Sequence, residues 1–485
     1  PARNTTMIRT PTASFASTPT RNAGRTRAIT RALTGMLSGT LISPLLLLAL
    51  LAAPVAHAAA GAADIAAFRE RFRSVTPTSF DTGGAVARQF HLDAPAYLEM
   101  ATIARTGPER TLPVAIRADI ARREIRLTDG TSADGTSADG TASDGTAADG
   151  TAADGTSTLA EHVESNPYVD GVIVLYEGSV VFEAYPRMAP WQRHFSWSVS
   201  KVVTSTLLGA LVARGRIDME TDVAATLPML AGTAWDGTSL RDIANMASGI
   251  DCRDSDGYQT PTTCIYRLEE ALGVTAPTGY DDGLEAHLRS MKRRGPAGVR
   301  NEYLSANTNL LGLVIEAETG TPFARAAQDL LWSPMGAEAD GLVSISPEGF
   351  AYASGGVTLR LRDLARFGEL LTRPDAFGVV TPAIVADMQG PRGVALDAEH
   401  LARLADEFPN DLPVRAGWQW DLVWDDGGMF KGGYSGQGLY VDPARDLVVA
   451  WFGTGENYGS TIHSLRSIAR QLARSALFPA RGQAN

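Results

Sequence analysis

Lysine is nearly missing from this 485-residue chain: Lys and Arg together number 43, yet lysine stands only at Lys201, Lys292 and Lys431. Arginine stays charged, whereas a desolvated lysine can lose its proton. Each remaining lysine is therefore a candidate for chemistry that arginine cannot perform. Net basic charge is lacking too. The formal charge is -11 and the pI about 5.2, so the basic stripe a nucleic-acid partner needs is absent. Cysteine is confined to Cys252 and Cys264. No histidine lies near them in sequence, which argues against a metal site. In an oxidising compartment the pair is expected to close a disulfide around a polar surface segment holding Arg253, Asp254 and Asp256. No apolar run reaches the ~20 residues that span a bilayer.

What is present is ordinary for a globular protein. Hydrophobic residues make up 44% and charged residues 20%, enough to bury a sizeable core. The amino terminus reads as an export leader over residues 1–58. Arg21, Arg25, Arg27 and Arg31 precede an apolar run through Leu45 to Ala53, and Ala56-His57-Ala58 offers small residues for cleavage. Residues 59–128 form a small N-terminal region, with a helix expected near Ala62 to Phe72 and a short strand at Ile125 to Leu127. Residues 129–158 hold a low-complexity Asp-Gly-Thr repeat, as in Asp134-Gly135-Thr136. Such a tract cannot bury apolar surface and reads as an acidic linker. It lacks the pattern of a calcium-binding repeat. Residues 159–485 read as one catalytic-sized unit. Val172 to Tyr176 and Val180 to Tyr185 suggest a hairpin about Glu177-Gly178. Gly438 to Val441 and Leu447 to Phe452 suggest another about Asp442-Pro443, before a final amphipathic helix.

Three segments carry possible chemistry. The first is Ser196-Trp197-Ser198-Val199-Ser200-Lys201, leading into an apolar helix. A helix starting near Ser198 puts Lys201 one turn on, on the same face. A buried Lys201 favours its neutral form and can act as a base toward a Ser198 nucleophile. The free N–H groups at the helix start suit a developing oxyanion. The second is Tyr303-Leu304-Ser305-Ala306-Asn307, before another helix. Tyr303 is a candidate proton relay; Ser305 and Asn307 are candidates to bind the lysine or the substrate. The third is Lys431-Gly432-Gly433-Tyr434-Ser435-Gly436-Gln437, where glycines at a strand edge admit a substrate backbone and an N–H, assigned to Gln437, can complete an oxyanion hole.

In this order the segments resemble the β-lactamase-like, penicillin-recognising serine hydrolases, whose nucleophile motif is Ser-x-x-Lys. The likeness is greatest to the branch of class C β-lactamases, 6-aminohexanoate-dimer hydrolase and esterases. Met246-Ala247-Ser248-Gly249-Ile250, Gly355-Gly356 before Arg362-Asp363-Leu364, and Tyr440-Val441-Asp442-Pro443 add to it. The resemblance implies an α/β (α+β) fold: an antiparallel sheet built from both ends of the domain, flanked by helices, with an inserted helical lobe. It implies hydrolysis of an amide or carboxyl ester in a small molecule or short peptide. Catalysis falls to Ser198, Lys201 and Tyr303. Substrate contacts fall to Ser305, Asn307, Tyr434, Ser435, Gly436 and Gln437. No cofactor, metal, nucleic acid or membrane span after leader removal is implied.

Two departures bear on specificity. Class C enzymes carry Tyr-x-Asn where this chain has Tyr303-Leu304-Ser305. Their Lys-Thr-Gly motif aligns with Tyr434-Ser435-Gly436 in the register that keeps Gln437 at the oxyanion strand, leaving no cation. A second register makes Lys431-Gly432-Gly433 the counterpart. Two rivals stand beside this reading. A Ser-His-Asp hydrolase using His194 or His463 needs Gly-x-Ser-x-Gly, which the segment Gly433-Tyr434-Ser435-Gly436-Gln437 misses by one residue. A catalytically idle relative that binds peptidoglycan or a partner is the other.

Overall fold

In the computed structural model the described residues are 83–127, 155–280, 282–455 and 462–482, with Ala67 and Glu70. The expected leader, nearly all of the helix expected near Ala62 to Phe72, and the Asp-Gly-Thr tract up to residue 154 lie outside them. Arg69–Asn485 forms one compact unit, distinct from Pro1–Phe68.

Two β-rich runs make the first hairpin, β1 (Val169–Tyr176) and β2 (Ser179–Ala184). Glu177 (φ 50°) and Gly178 (φ 73°) are both left-handed, the two-residue turn whose twist matches a hairpin. The chain leaves this sheet and returns with β3 (Val394–Ala395), β4 (Arg415–Gly417), β5 (Trp420–Val423), β6 (Met429–Gly432), β7 (Gly438–Asp442) and β8 (Leu447–Gly453). The order is β2-β1-β8-β7-β6-β5-β4-β3, antiparallel throughout. β8 runs along β1 from Leu447↔Tyr176 to Gly453↔Val169, so the two ends of the domain close one sheet, as expected.

Four helices position the rest: α1 (Ser200–Ala213), α2 (Ser305–Thr319), α3 (Leu361–Thr372) and α4 (Ile462–Ala473). Strands β1 and β8 are apolar on both faces because both faces are covered. Ile173, Leu175, Val448 and Ala450 share a core with Leu364 and Phe367 of α3. Val172, Val174, Val449 and Trp451 share another with Leu465, Ile468 and Leu472 of α4. Each fully buried Leu or Phe stabilises by ~1.5–3 kcal/mol. Helix α1 is buried without a break from Ser200 to Leu211, its buried Thr204, Ser205 and Thr206 hydroxyls each bonded to backbone carbonyls. The inserted lobe comprises Leu240–Ala244, Cys264–Ala271, Leu284–Ser290 and α2.

The fold runs across two of the expected boundaries. The described part of region 59–128 is woven into the catalytic unit. Strand Met100–Ile103 pairs with Gly341–Ser344 in a second sheet that continues through Val357–Leu359 to His194–Phe195. Ala115 and Arg117 donate backbone hydrogen bonds to Val180 and Val181, covering the β2 edge. The linker expected over 129–158 also ends early: Thr156–Thr158 pairs with Glu124–Arg126, as β-branched threonine permits.

Candidate active site

Strand His194–Phe195 delivers the chain to a 3₁₀ turn, Trp197–Val199, that runs straight into α1. Trp197 takes φ 44°, a costly conformation for a bulky residue that persists only where its surroundings impose it. They do so here. Ser196 N and Oγ both donate to Val357 O, at 2.9 and 2.7 Å. Trp197 Nε1 donates to His91 Nε2 at 2.9 Å, and its ring packs on Phe90 and Phe195. From His194 to Leu211 every residue is buried except Ser198. The turn thus presents a single hydroxyl outward, at the start of a helix.

One turn on, Lys201 is 1% exposed. Its Nζ lies 2.9 Å from Ser198 Oγ, 3.0 Å from Ser305 Oγ and 3.0 Å from Ser354 O. Burial pushes this amine down to about 7; Asp254 opposes the shift and Lys431 adds to it. Ser305 sits at the first position of α2, which starts earlier than the apolar pattern from Leu310 suggests. Asp254 holds it there. Ser305 N donates to Asp254 Oδ1 at 2.7 Å and Ser305 Oγ to Oδ2 at 2.6 Å, and Tyr258 OH donates to the same carboxylate. Sequence reasoning placed Asp254 on a polar surface loop. It is 1% exposed, because the loop turns inward at Cys252, a fully buried residue, and lays this carboxylate beneath α2. A lone Asp in a polar run gives no signal of that.

In the third segment the structure favours the second of the two registers. Lys431, rather than the turn after it, brings a charged side chain to Tyr303. It lies on β6, is 0% exposed, and donates to Tyr303 OH at 2.9 Å and to Asp421 Oδ1 at 2.5 Å. The Tyr303 ring centre lies 4.9 Å from Lys201 Nζ and 4.4 Å from Lys431 Nζ. This placement favours the register with Lys431-Gly432-Gly433 as the motif, in which a cation is present. The reason is β6/β7 pairing: Gly432↔Gly438 closes the ladder, which leaves Tyr434-Ser435-Gly436 in the connecting turn. Tyr434 packs on Trp197 and Tyr258. Ser435 is buried, its carbonyl accepting from Gly455 N, and Gly436 donates to Gly433 O. The Gln437 side chain donates to Gly453 O. A Cβ on Gly433 would lie 2.7 Å from Ser196 O, so glycine here lets the turn approach the Ser198 segment. Asn307 does not join the site: it is buried, its amide directed to Met246 Sδ at 3.6 Å.

Further residues complete the surroundings. The sulfur atoms of Cys252 and Cys264 lie at bonding distance, as expected. His287, distant in sequence, reaches them in space, with Nε2 3.5 Å from Cys264 Sγ. Joined sulfurs have no thiolate to offer a metal. His194 is buried with Nε2 on Asp170 Oδ2 at 3.1 Å and Nδ1 on Phe195 O at 2.8 Å. Both nitrogens are thus engaged away from Ser198 and from Ser435, which leaves the Ser-His-Asp rival without this histidine; the His463 side chain lies outside the described residues. A cleft of about 260 Å³ borders Tyr303, Asp421 and Gly432, with Arg253, Arg294 and Glu302 on its walls. It adjoins the site without reaching Ser198.

Comparison with known proteins agrees with this geometry. The sequence model of the family described as Beta-lactamase matches residues 167–473. The 6-aminohexanoate-dimer hydrolase of Paenarthrobacter ureafaciens is 31% identical over 288 residues, covering 58% of this chain and 71% of that protein. Esterase EstB of Burkholderia gladioli is 29% identical over 168 residues, covering 32% and 39%. In fold, a Bacillus anthracis protein assigned as a 6-aminohexanoate-dimer hydrolase superposes with TM-score 0.65 at 20% identity, over 83% of this chain and 98% of that one. The chain belongs to the β-lactamase family and is an amide or ester hydrolase of that superfamily.

Proposed function

We propose that the protein hydrolyses a short amide or carboxyl ester through an acyl-enzyme on Ser198, with neutral Lys201 as base and Tyr303 as proton donor to the leaving group. One observation carries the reading: the buried Lys201 amine sits 2.9 Å from the one outward hydroxyl of its segment. A neutral amine has two N–H bonds and one lone pair. Ser354 O and Ser305 Oγ, each 3.0 Å away, take the two N–H bonds, and the lone pair is left for the Ser198 proton.

Ser198 Oγ attacks the carbonyl carbon as its proton passes to Lys201 Nζ, and the carbonyl electron pair moves onto oxygen. The Ser198 N–H at the helix start and an N–H of the 433–437 turn, assigned to Gln437, hold that oxyanion. Lys431 donates to the Tyr303 oxygen, leaving the phenol proton available to the departing amine or alcohol. The proton on Lys201 then passes to the Tyr303 oxygen, restoring both groups; water attacks the acyl carbon as it gives a proton to neutral Lys201, and that proton goes to Ser198 Oγ as the acid leaves. The relatives' names point to small amides and esters. The pairing of Lys431 with Asp421 supports an acyl group without the carboxylate that a β-lactam carries, since that carboxylate seeks an unpaired cation.

Labelling with a fluorophosphonate tests the nucleophile: Ser198 should be modified, and Ser198→Ala should not be. Lys201→Arg keeps the charge but abolishes the neutral form. Acylation should fall on the order of a thousandfold, as in Lys201→Ala; near-wild-type turnover in the Arg variant sinks the assignment. Wild-type acylation should fall about tenfold per pH unit below about 7, because protonated Lys201 cannot accept a proton.

Export is part of the proposal. The arginine-rich start, Ala56-His57-Ala58 and the paired cysteines support it. Intact mass of protein from the native host should place the amino terminus at or near Ala59; retention of residues 7–58 contradicts it.

A further inference from the structure

The carboxylate of Asp254 lies within the loop that the Cys252–Cys264 bridge closes, and it touches neither Ser198 nor Lys201 directly. Its partners are Ser305 N, Ser305 Oγ and Tyr258 OH. We infer that Asp254 is a positioning residue that sets the direction of the hydrogen bonds around Lys201, so that the amine's lone pair rather than an N–H meets Ser198; this rests on the roles given above to Ser198 and Lys201.

Burial raises the Asp254 carboxyl, while Lys201, Ser305 and Tyr258 oppose the shift by favouring its anion, and the anion only accepts. Ser305 has a single hydroxyl hydrogen, and Asp254 Oδ2, 2.6 Å away, receives it. Ser305 Oγ can therefore only accept from Lys201 Nζ at 3.0 Å. Ser354 O is a carbonyl and can only accept as well. Both N–H bonds of neutral Lys201 are thereby assigned, and its lone pair faces Ser198 Oγ. Were the Ser305 hydrogen turned toward Lys201, it would occupy that lone pair. An N–H would then point at Ser198, the wrong direction for removing its proton. Asp254, Lys201 and Ser305 are each at most 2% exposed, so bulk water does not reshuffle the network. The charged and titratable groups acting on Lys201 are Asp254, Lys431, Asp421 and Glu269, with the Tyr303 ring against it. Asp254 is the strongest of these and favours the protonated amine.

Asp254→Asn separates direction from packing. It has the same shape, but its NH₂ can donate to Ser305 Oγ and turn the Ser305 hydrogen onto Lys201. With p-nitrophenyl acetate and a fluorophosphonate as probes, the acylation plateau should fall about a hundredfold, the scale of losing a positioned base. The acid limb should move to lower pH, because the anion that favours protonated Lys201 is gone. A purely structural role would scale the plateau and leave the limb in place. In a Ser305→Ala background the Asn substitution should cost no further rate, since no hydroxyl remains to turn. An unchanged plateau in Asp254→Asn, or an equal loss in both backgrounds, overturns the inference. If Asp254→Asn does not fold, Ser305→Ala carries the test alone: it should lower the plateau about tenfold, within the range for buried hydrogen-bond partners, and a wild-type plateau overturns it. Failure of wild-type protein to label at Ser198 overturns the nucleophile assignment instead, and this inference with it.

Discussion

Two of the three lysines, Lys201 and Lys431, meet on the ring of Tyr303, while Lys292 is exposed. Two buried ammonium groups this close cannot both stay charged without compensation. Burial first, with Lys431 adding to it, lowers Lys201 to about 7. Lys431 is instead paired with Asp421 at 2.5 Å, which makes that carboxylate a determinant of substrate charge. Replacing it by Asn leaves Lys431 without its counter-ion and should favour anionic acyl groups. The ratio of nitrocefin to p-nitrophenyl acetate turnover should rise about tenfold or more in Asp421→Asn, the scale of one charge-assisted contact. A constant ratio would show that Lys431 does not face the acyl group. At this scale the Ser198-Lys201 pair was legible, because one helical turn sets its geometry. Asp254 and Asp421 were not: their partners lie 51 residues away at Ser305 and ten away on the neighbouring strand, at Lys431.

Elements explain where the sequence reading went astray. Whether a short Gly-rich segment is strand or turn depends on its pairing register, and Met429↔Val441 through Gly432↔Gly438 settles it. Composition alone cannot tell Lys431-Gly432-Gly433 from Tyr434-Ser435-Gly436, since both have small residues suited to a close approach. The disulfide loop is the other decisive element. It spans a sequence separation of 12 and carries both Asp254 and Tyr258 to the underside of α2. Replacing both cysteines by serine frees that loop in the unfolded chain and should lower stability by about 2–3 kcal/mol. It should also loosen Asp254 and slow acylation. Urea denaturation reads the first effect; an unmoved midpoint would mean that packing by itself holds the loop.

For the whole molecule, closure comes from segments far apart in sequence. Strand Met100–Ile103 seals the second sheet, and His91 in the preceding helix Gly84–Leu92 supports Trp197 beside the candidate nucleophile. The Asp-Gly-Thr tract departs from and re-enters the fold at one point: Arg126↔Thr156 are paired, and Leu127 N donates to Gly155 O at 3.0 Å. Ends already joined in register need only a two-residue turn between them. Replacing residues 128–154 by Asn-Gly should therefore leave hydrolysis within about threefold and the melting temperature nearly unchanged, as expected of surface insertions. A collapse in either would assign the tract a structural task.

Sequence by itself determined the periodic and local features. These are the hairpin with its Glu177-Gly178 turn, the apolar-rich α1 and the one-turn spacing of Ser198 and Lys201. Each follows from residue types within a few positions of one another, where backbone geometry allows few alternatives. Only the tertiary structure decided which cation sits at Tyr303, that Asn307 turns away to Met246, and that Asp254 is buried against Ser305. Those outcomes depend on strand register and on a loop folded inward, and the energy that selects them lies in long-range burial and pairing that no local pattern encodes.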